Sequence, residues 1–194
     1  MTSAEFKMKI SAVTARRNER LQMADKVIQE PQLFDYLIQL IFEIDSKTAI
    51  KAAWVFEFVC HRNLELLIPH LDYFTLNLHN LHNDSAIRPV AKVCEFLAKA
   101  HTSKKNISLI KNELNEIRIN RIIEAAFDWM IGPFRVAVKV YAMSTLYLLG
   151  KNNGWVHEEL QLILLKDMGE ENPGYCARGK KVLALINQNN SGNY

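Results

Sequence analysis

Four cations recur at one place in the pattern of this chain. Lys51, Arg88, Arg135 and Arg178 each follow a turn-forming Asp or Asn by a few residues and fall near the start of an apolar segment. Such a row can face a phosphate backbone, where each cation would displace a condensed counterion. It can equally be structural, each cation bonding the acid or amide just before it and tying one segment to the next, and the presence of those partners favours this reading. Aromatic residues are interleaved with the cations: Trp54 follows Lys51, Tyr141 follows Arg135 and Lys139, and Trp129 and Trp155 flank them. Bases stack on surfaces of that kind, although aromatics at helical spacing usually belong to a core. The residues expected on a ligand-facing surface are therefore Lys51, Trp54, Arg88, Lys92, Arg135, Lys139 and Arg178.

Other reactive types are sparser. His79 and His82 are spaced i, i+3 with Asp84 behind them, and Cys60-His61 closes an earlier segment. That spacing can put two imidazoles on one helical face for a divalent metal, but no further ligand sits at tight spacing and no metal is expected. Glu57 and Glu95 lie between large apolar neighbours, where a desolvated carboxylate can act as a general acid or base; pairing with Lys51 or Lys92 is the simpler role. No G-x-S-x-G, Gly-rich phosphate loop or Cys–His signature appears, and seven glycines leave little material for such loops. The expectation is binding rather than catalysis, with no catalytic residue and no cofactor.

The elements that carry these residues read as helices throughout. Apolar residues recur at helical spacing, while β-branched alternation of period two is missing. Turn and breaker residues cut the chain into helices at about 11–29, 31–44, 46–61, 64–81, 84–101, 113–131, 133–149, 155–168 and 173–187. Pro31, Pro133 and Pro173 suit a first turn, and Ser46 or Asp84 can cap. Pro89 should kink its helix or delay its start. Segment 46–61 carries one apolar stripe of Ala49, Ala52, Ala53, Phe56, Val59 and Cys60 and a second of Ile50, Trp54 and Phe58. A helix apolar on two faces is buried on two sides, as the inner layer of a stack would be; 133–149 behaves likewise, whereas 64–81 and 113–131 carry polar faces.

Segments 46–59 and 84–97 superpose without a gap, matching Ala53 with Ala91, Val55 with Val93, Glu57 with Glu95 and Phe58 with Phe96. Pairing outer with inner helices gives units 31–61, 64–101, 106–149 and 155–187, a period of about 40 residues typical of two-helix solenoids. The expected architecture is all-α: a single domain over 1–194, an α-α superhelix of about four helical pairs, with an N-terminal cap helix in 1–30 and a disordered tail at 188–194. The stretch "HTSKKNISLIKNE" should form a loop or a short extra helix.

These units resemble the HEAT-like family of α-α superhelices, whose repeats place a basic residue about six positions after a turn Asp. Asp45 precedes Lys51 and Asn172 precedes Arg178 at that spacing, while Asp84 with Arg88 and Asp128 with Arg135 depart from it. "FDWMIGPFRVAVKVYAMSTLYLLGK", "DSAIRPVAKVCEFLAK" and "CARGKKVLALI" are similar to a group of small, functionally uncharacterised bacterial proteins of this architecture, over most of 30–187. Some of that group are labelled adenylosuccinate lyase, a family more than twice as long that carries an S-S-x-M-P-x-K-x-N loop. This chain has no such loop, so the label is rejected. A related helical superhelix, the alkylpurine DNA glycosylases, uses a basic concave cleft with a carboxylate and aromatics, and Asp128-Trp129 is the one dipeptide that fits that role.

Charge and cysteine usage bound the rest. Twenty-four basic and 21 acidic residues leave a formal charge of +3, mixed along the chain, so the far field is weak and a dedicated nucleic-acid binder is disfavoured. Cys60, Cys94 and Cys176 lie in apolar patterns without C-x-x-C spacing and read as reduced thiols of a cytoplasmic protein. No apolar leader and no membrane-length span is seen. The sequence thus implies a non-catalytic helical-repeat scaffold that binds another protein through its concave surface. The alternative is a nucleic-acid-binding or DNA-repair module of glycosylase-like architecture.

Overall fold

Local capping chemistry sets where the helices begin. In a computed structural model that describes residues 1–44, 46–103, 109–169 and 172–191, eleven α-helices are joined by 3₁₀ turns, and no strand occurs among the described residues. The helices are α1 (Ser3–Ala12), α2 (Arg17–Gln29), α3 (Leu33–Ile41), α4 (Lys47–Arg62), α5 (Leu71–Leu76), α6 (Asp84–Thr102), α7 (Leu109–Glu113), α8 (Glu116–Ile131), α9 (Val136–Leu149), α10 (Gly154–Asp167) and α11 (Pro173–Ser191). Thr2 and Glu5 close a capping box on α1, and the hydroxyl of Ser46 accepts from the N–H groups of Thr48 and Ala49 at 3.1 and 3.3 Å. At α6 the cap is Asn83, whose side chain accepts from the Ser85 N–H at 2.9 Å, rather than Asp84.

The helices form two layers. Along the inner layer α2 packs on α4, α4 on α6, α6 on α9 and α9 on α11; outside it, α3 backs α4, α8 backs α9, and α10 backs α9 and α11. The inner helices α4 and α9 each touch an outer partner and the inner helix on either side, the nearest-neighbour stacking of a solenoid. Phe34, Phe56 and Phe74 show how the layers are joined. Their rings lie 5.8 and 5.5 Å apart in sequence order, all at 1 % exposure or less, and burial of each contributes about 1.5–3 kcal/mol. Ala53 and Ala91 are both fully buried, so the superposed segments do present their small residues to the packed interior.

Several boundaries differ from those read in the sequence. The single cap helix expected in 1–30 is two helices, broken at Val13 to Arg16, and α2 docks on α4 as a further inner helix. The helix expected over 64–81 is a 3₁₀ segment (Leu64–His70), the short α5 and a 3₁₀ turn (Leu78–Asn80). Pro69 explains the break, because it removes a backbone donor in mid-segment. Pro133 precedes α9 rather than opening it, while α6 runs through a buried Pro89 from Asp84 onward. The insertion after α6 includes the short helix α7, with 104–108 outside the described residues. Helix α11 continues as far as Ser191, into the stretch expected as a tail, and 192–194 lie outside the described residues.

Candidate functional site: a cationic groove on the inner-helix face

Helix α2 begins with Arg17 and Arg20, spaced i, i+3 and hence on one face. That face meets the second apolar stripe of α4. The Arg20 guanidinium carbon lies 5.7 Å from the Trp54 ring centre and 5.4 Å from that of Phe58, and Arg17 lies 5.9 Å from Phe58. Trp54 and Phe58 are consequently only half-buried, roofed by cations instead of by another apolar helix. Such contacts are worth about 0.5–2 kcal/mol each, more as water is excluded. The Arg20 Nε is sealed from solvent and has no hydrogen-bond partner among the described residues.

Across α4 the groove floor holds one buried carboxylate. Glu57 is 5 % exposed; its Oε1 accepts from Lys92 Nζ at 2.6 Å and its Oε2 from Arg88 Nη2 at 3.3 Å, both on α6. A buried carboxylate needs such partners to remain charged. The equivalent Glu95 takes a different partner, Lys99 on its own helix at 3.0 Å. At the far edge the Arg135 N–H donates to Asp84 Oδ1 at 2.9 Å, so the link between the start of α9 and the start of α6 is made by the main chain of Arg135. Its guanidinium is exposed and makes no hydrogen bond or ion pair among the described residues.

Two adjoining recesses result. One, of about 290 Å³, is lined by Arg20, Trp54, Asp84, Ser85, Arg88 and Arg135. The other, of about 560 Å³, is lined by Arg17, Arg20, Glu57, Phe58, Arg88 and Lys92, with Arg62 at its end. Arg20 and Arg88 belong to both, which makes one groove. Arg62 is neutralised by Asp25. The remaining five cations outnumber Glu57 and Asp84, so the groove concentrates a positive potential that the mixed sequence hides at long range.

Of the residues expected to face a ligand, the groove brings together Trp54, Arg88, Lys92 and Arg135. Lys51 instead reaches the carbonyl of Ser11, Lys139 lies 5.8 Å from the ring centre of Tyr175, and Arg178 is exposed on α11; none of the three lines the groove. The row of four is therefore neither a continuous ladder nor a uniform set of ties to the preceding turn acid. Arg88 crosses to Glu57, and Asp45 lies outside the described residues. Arg17 and Arg20 were missed because 11–29 reads as a cap; the run "ARRNER" ahead of the apolar positions was the available signal.

The other candidates disperse. His79 borders a recess with Arg121 and Asp128, His82 a different one with Phe42 and Leu81, and no cluster of three or more His, Cys, Asp or Glu side chains suited to a metal occurs among the described residues. Trp129 is 2 % exposed in the core, and Asp128 faces outward on α8, away from the basic groove. Trp155 stacks on Phe127 at 5.8 Å. Burial pushes the Cys60 and Cys94 thiols up, and for Cys60 the neighbouring Cys94 adds to it, which leaves both protonated and unreactive. Cys176 is half-buried, its thiol 3.5 Å from the Met168 carbonyl. No described helix is long and apolar enough to cross a membrane.

Stacked helical pairs with a ligand-sized groove on the inner layer define the class: a helical-repeat scaffold. A family model described as a HEAT repeat domain matches residues 9–184. The chain belongs to the HEAT repeat family. Comparison with curated proteins found no match, nor did comparison with solved structures.

Proposed function

We propose that this scaffold binds a partner protein through the inner-helix groove, and that the segment it holds is acidic. The observation that carries the reading is the cluster of Arg17, Arg20, Arg88, Lys92 and Arg135 around Trp54 and Phe58, built from α2, α4, α6 and the start of α9. Guanidinium groups donate to carboxylates in a fork and the ring faces take the intervening side chains. HEAT repeats commonly serve as surfaces for other proteins, and stacking supplies such a surface without a catalytic pocket. A nucleic-acid strand fits less well, because the cations form a compact cluster and Lys51, Lys139 and Arg178 do not extend it into a track.

Titration with a glutamate-rich peptide, followed by the tryptophan emission with Trp54→Phe as the control, tests the reading. Binding should be saturable, weakened about tenfold or more by Arg88→Ala, and unaffected by Arg178→Ala. A single-stranded oligonucleotide of the same charge that binds more tightly, with a steep slope of log K against log salt, would sink it.

A further inference from the structure

We infer that the smaller recess is built for a phosphate dianion, so that the acidic segment bound by the scaffold carries a phosphorylated side chain. This rests on the protein-binding reading and specifies its ligand. Three arginines line it from three elements: Arg20 from α2, Arg88 from α6 and Arg135 from the turn before α9. One carboxylate, Asp84, lines the same recess, and its Oδ1 is already engaged by the Arg135 N–H. Glu57, the acid paired with Arg88, is held by Lys92 as well.

Three cations against one acid leave two positive charges. A glutamate would neutralise one of them, whereas a phosphoryl group brings about −1.5 to −2 at neutral pH and three acceptor oxygens. Donors for those oxygens line the recess: the Arg135 guanidinium, exposed and without a bond among the described residues, with Arg20 and Ser85 beside it. Trp54 and Phe58 hold Arg20 in place from below, so that less rotamer freedom is lost on binding. The volume of about 290 Å³ accommodates one phosphorylated side chain. Recognition of phosphorylated segments by arginine clusters works on the same chemistry.

Inorganic phosphate is the first probe, added against sodium chloride at constant ionic strength while the melting temperature of the full chain is followed. A saturable rise beyond that given by chloride is expected, with the apparent Kd weakened about tenfold or more in Arg135→Ala, whose exposed side chain can be removed without unfolding risk, and in Arg20→Ala. Arg178→Ala should behave as the wild type. A matched pair of serine and phosphoserine peptides, with a glutamate-rich peptide beside them, separates the two levels of the argument. Tighter binding of the phosphopeptide, lost in Arg135→Ala, supports the inference. Equal, Arg88-dependent binding of all acidic peptides overturns the phosphate site and leaves the protein-binding reading standing, while binding of none of them overturns both. A phosphate effect that is identical in Arg135→Ala marks general anion screening and overturns the site.

Discussion

Glu57→Gln is the substitution that tests most of the site at once, because it should lower stability and raise affinity together. The wild-type carboxylate is bonded to Lys92 Nζ at 2.6 Å and Arg88 Nη2 at 3.3 Å, its own side chain only 7 % exposed. A hydrogen bond to a charged group contributes about 1.5–3 kcal/mol. The side chains of Arg88 and Lys92 retain 36 % and 28 % exposure, so solvent screening pulls each contribution toward the surface range of about 0–1 kcal/mol. Glutamine keeps an oxygen for one cation but turns its amide donors toward the other. A net loss of about 1–2 kcal/mol follows, and in a chain of this size each kcal/mol lowers the melting temperature by about 2–4 °C. The same change removes the one buried negative charge beneath the groove. At a separation of about 10 Å and an effective dielectric near 20, that charge opposes an anionic ligand by roughly 1–2 kcal/mol before salt screening, so affinity for a glutamate-rich peptide should rise by about three- to tenfold. Circular dichroism melting and a fluorescence titration on one preparation measure both quantities. An unchanged melting temperature would refute the claim that Glu57 holds α6 against α4. Weaker peptide binding would show that Glu57 orders the cations more than it opposes the ligand, and the charge argument would fail.

Three further outcomes are expected. Asp84→Ala should cost about 1 kcal/mol in urea unfolding, since it deletes an acceptor for the Arg135 N–H and an acid in the first turn of α6, whereas Arg135→Ala keeps that N–H and should shift stability by less than about 0.5 kcal/mol; the reverse order would show that the guanidinium is the tie. Ala53→Leu should overpack the fully buried wall of α4 and destabilise by about 1–3 kcal/mol, and an unaltered melt would mean that the position has room. On the outer layer, Arg118 forks onto Asp72 at 2.9 and 2.7 Å, and this bond, followed by the charges of Arg118 and Arg121, holds the Asp72 carboxyl below its ordinary value. A depressed carboxyl stabilises the folded state above its unfolded pKa of about 4 and loses that contribution as pH falls through the folded value. Carboxyl NMR titration should therefore find Asp72 titrating below the usual range in the wild type and near it in Arg118→Ala.

The helical class, the inner-outer alternation and most helix ends were legible in the sequence because they rest on short-range physics. Ser46 caps the helix it precedes, Pro173 starts one, and the stripe from Ala49 to Cys60 is buried wherever that helix docks. Legibility failed where a local preference was overridden or left undecided. Residues 3–29 divide into two helices and supply an inner helix to the stack, a choice made by the docking of α2 on α4 and invisible to periodicity. The candidate site was half legible for the same reason. Trp54, Arg88, Lys92 and Arg135 were identified by type and position within a repeat, yet Lys51, Lys139 and Arg178 share those properties and lie outside the groove.

What the sequence determined by itself is the repeat: its period, its inner helices, and a cation near each inner-helix start. What the tertiary structure alone decided is which of those cations meet. Arg20 and Arg135 are far apart in the chain, on elements with no shared local pattern, and they line one recess because α2, α4, α6 and α9 stack in order. Stacking is driven by burial of apolar faces, which is non-directional and indifferent to the charges carried at the edges; the convergence of those charges is a consequence of the helix arrangement and can be read only once that arrangement exists.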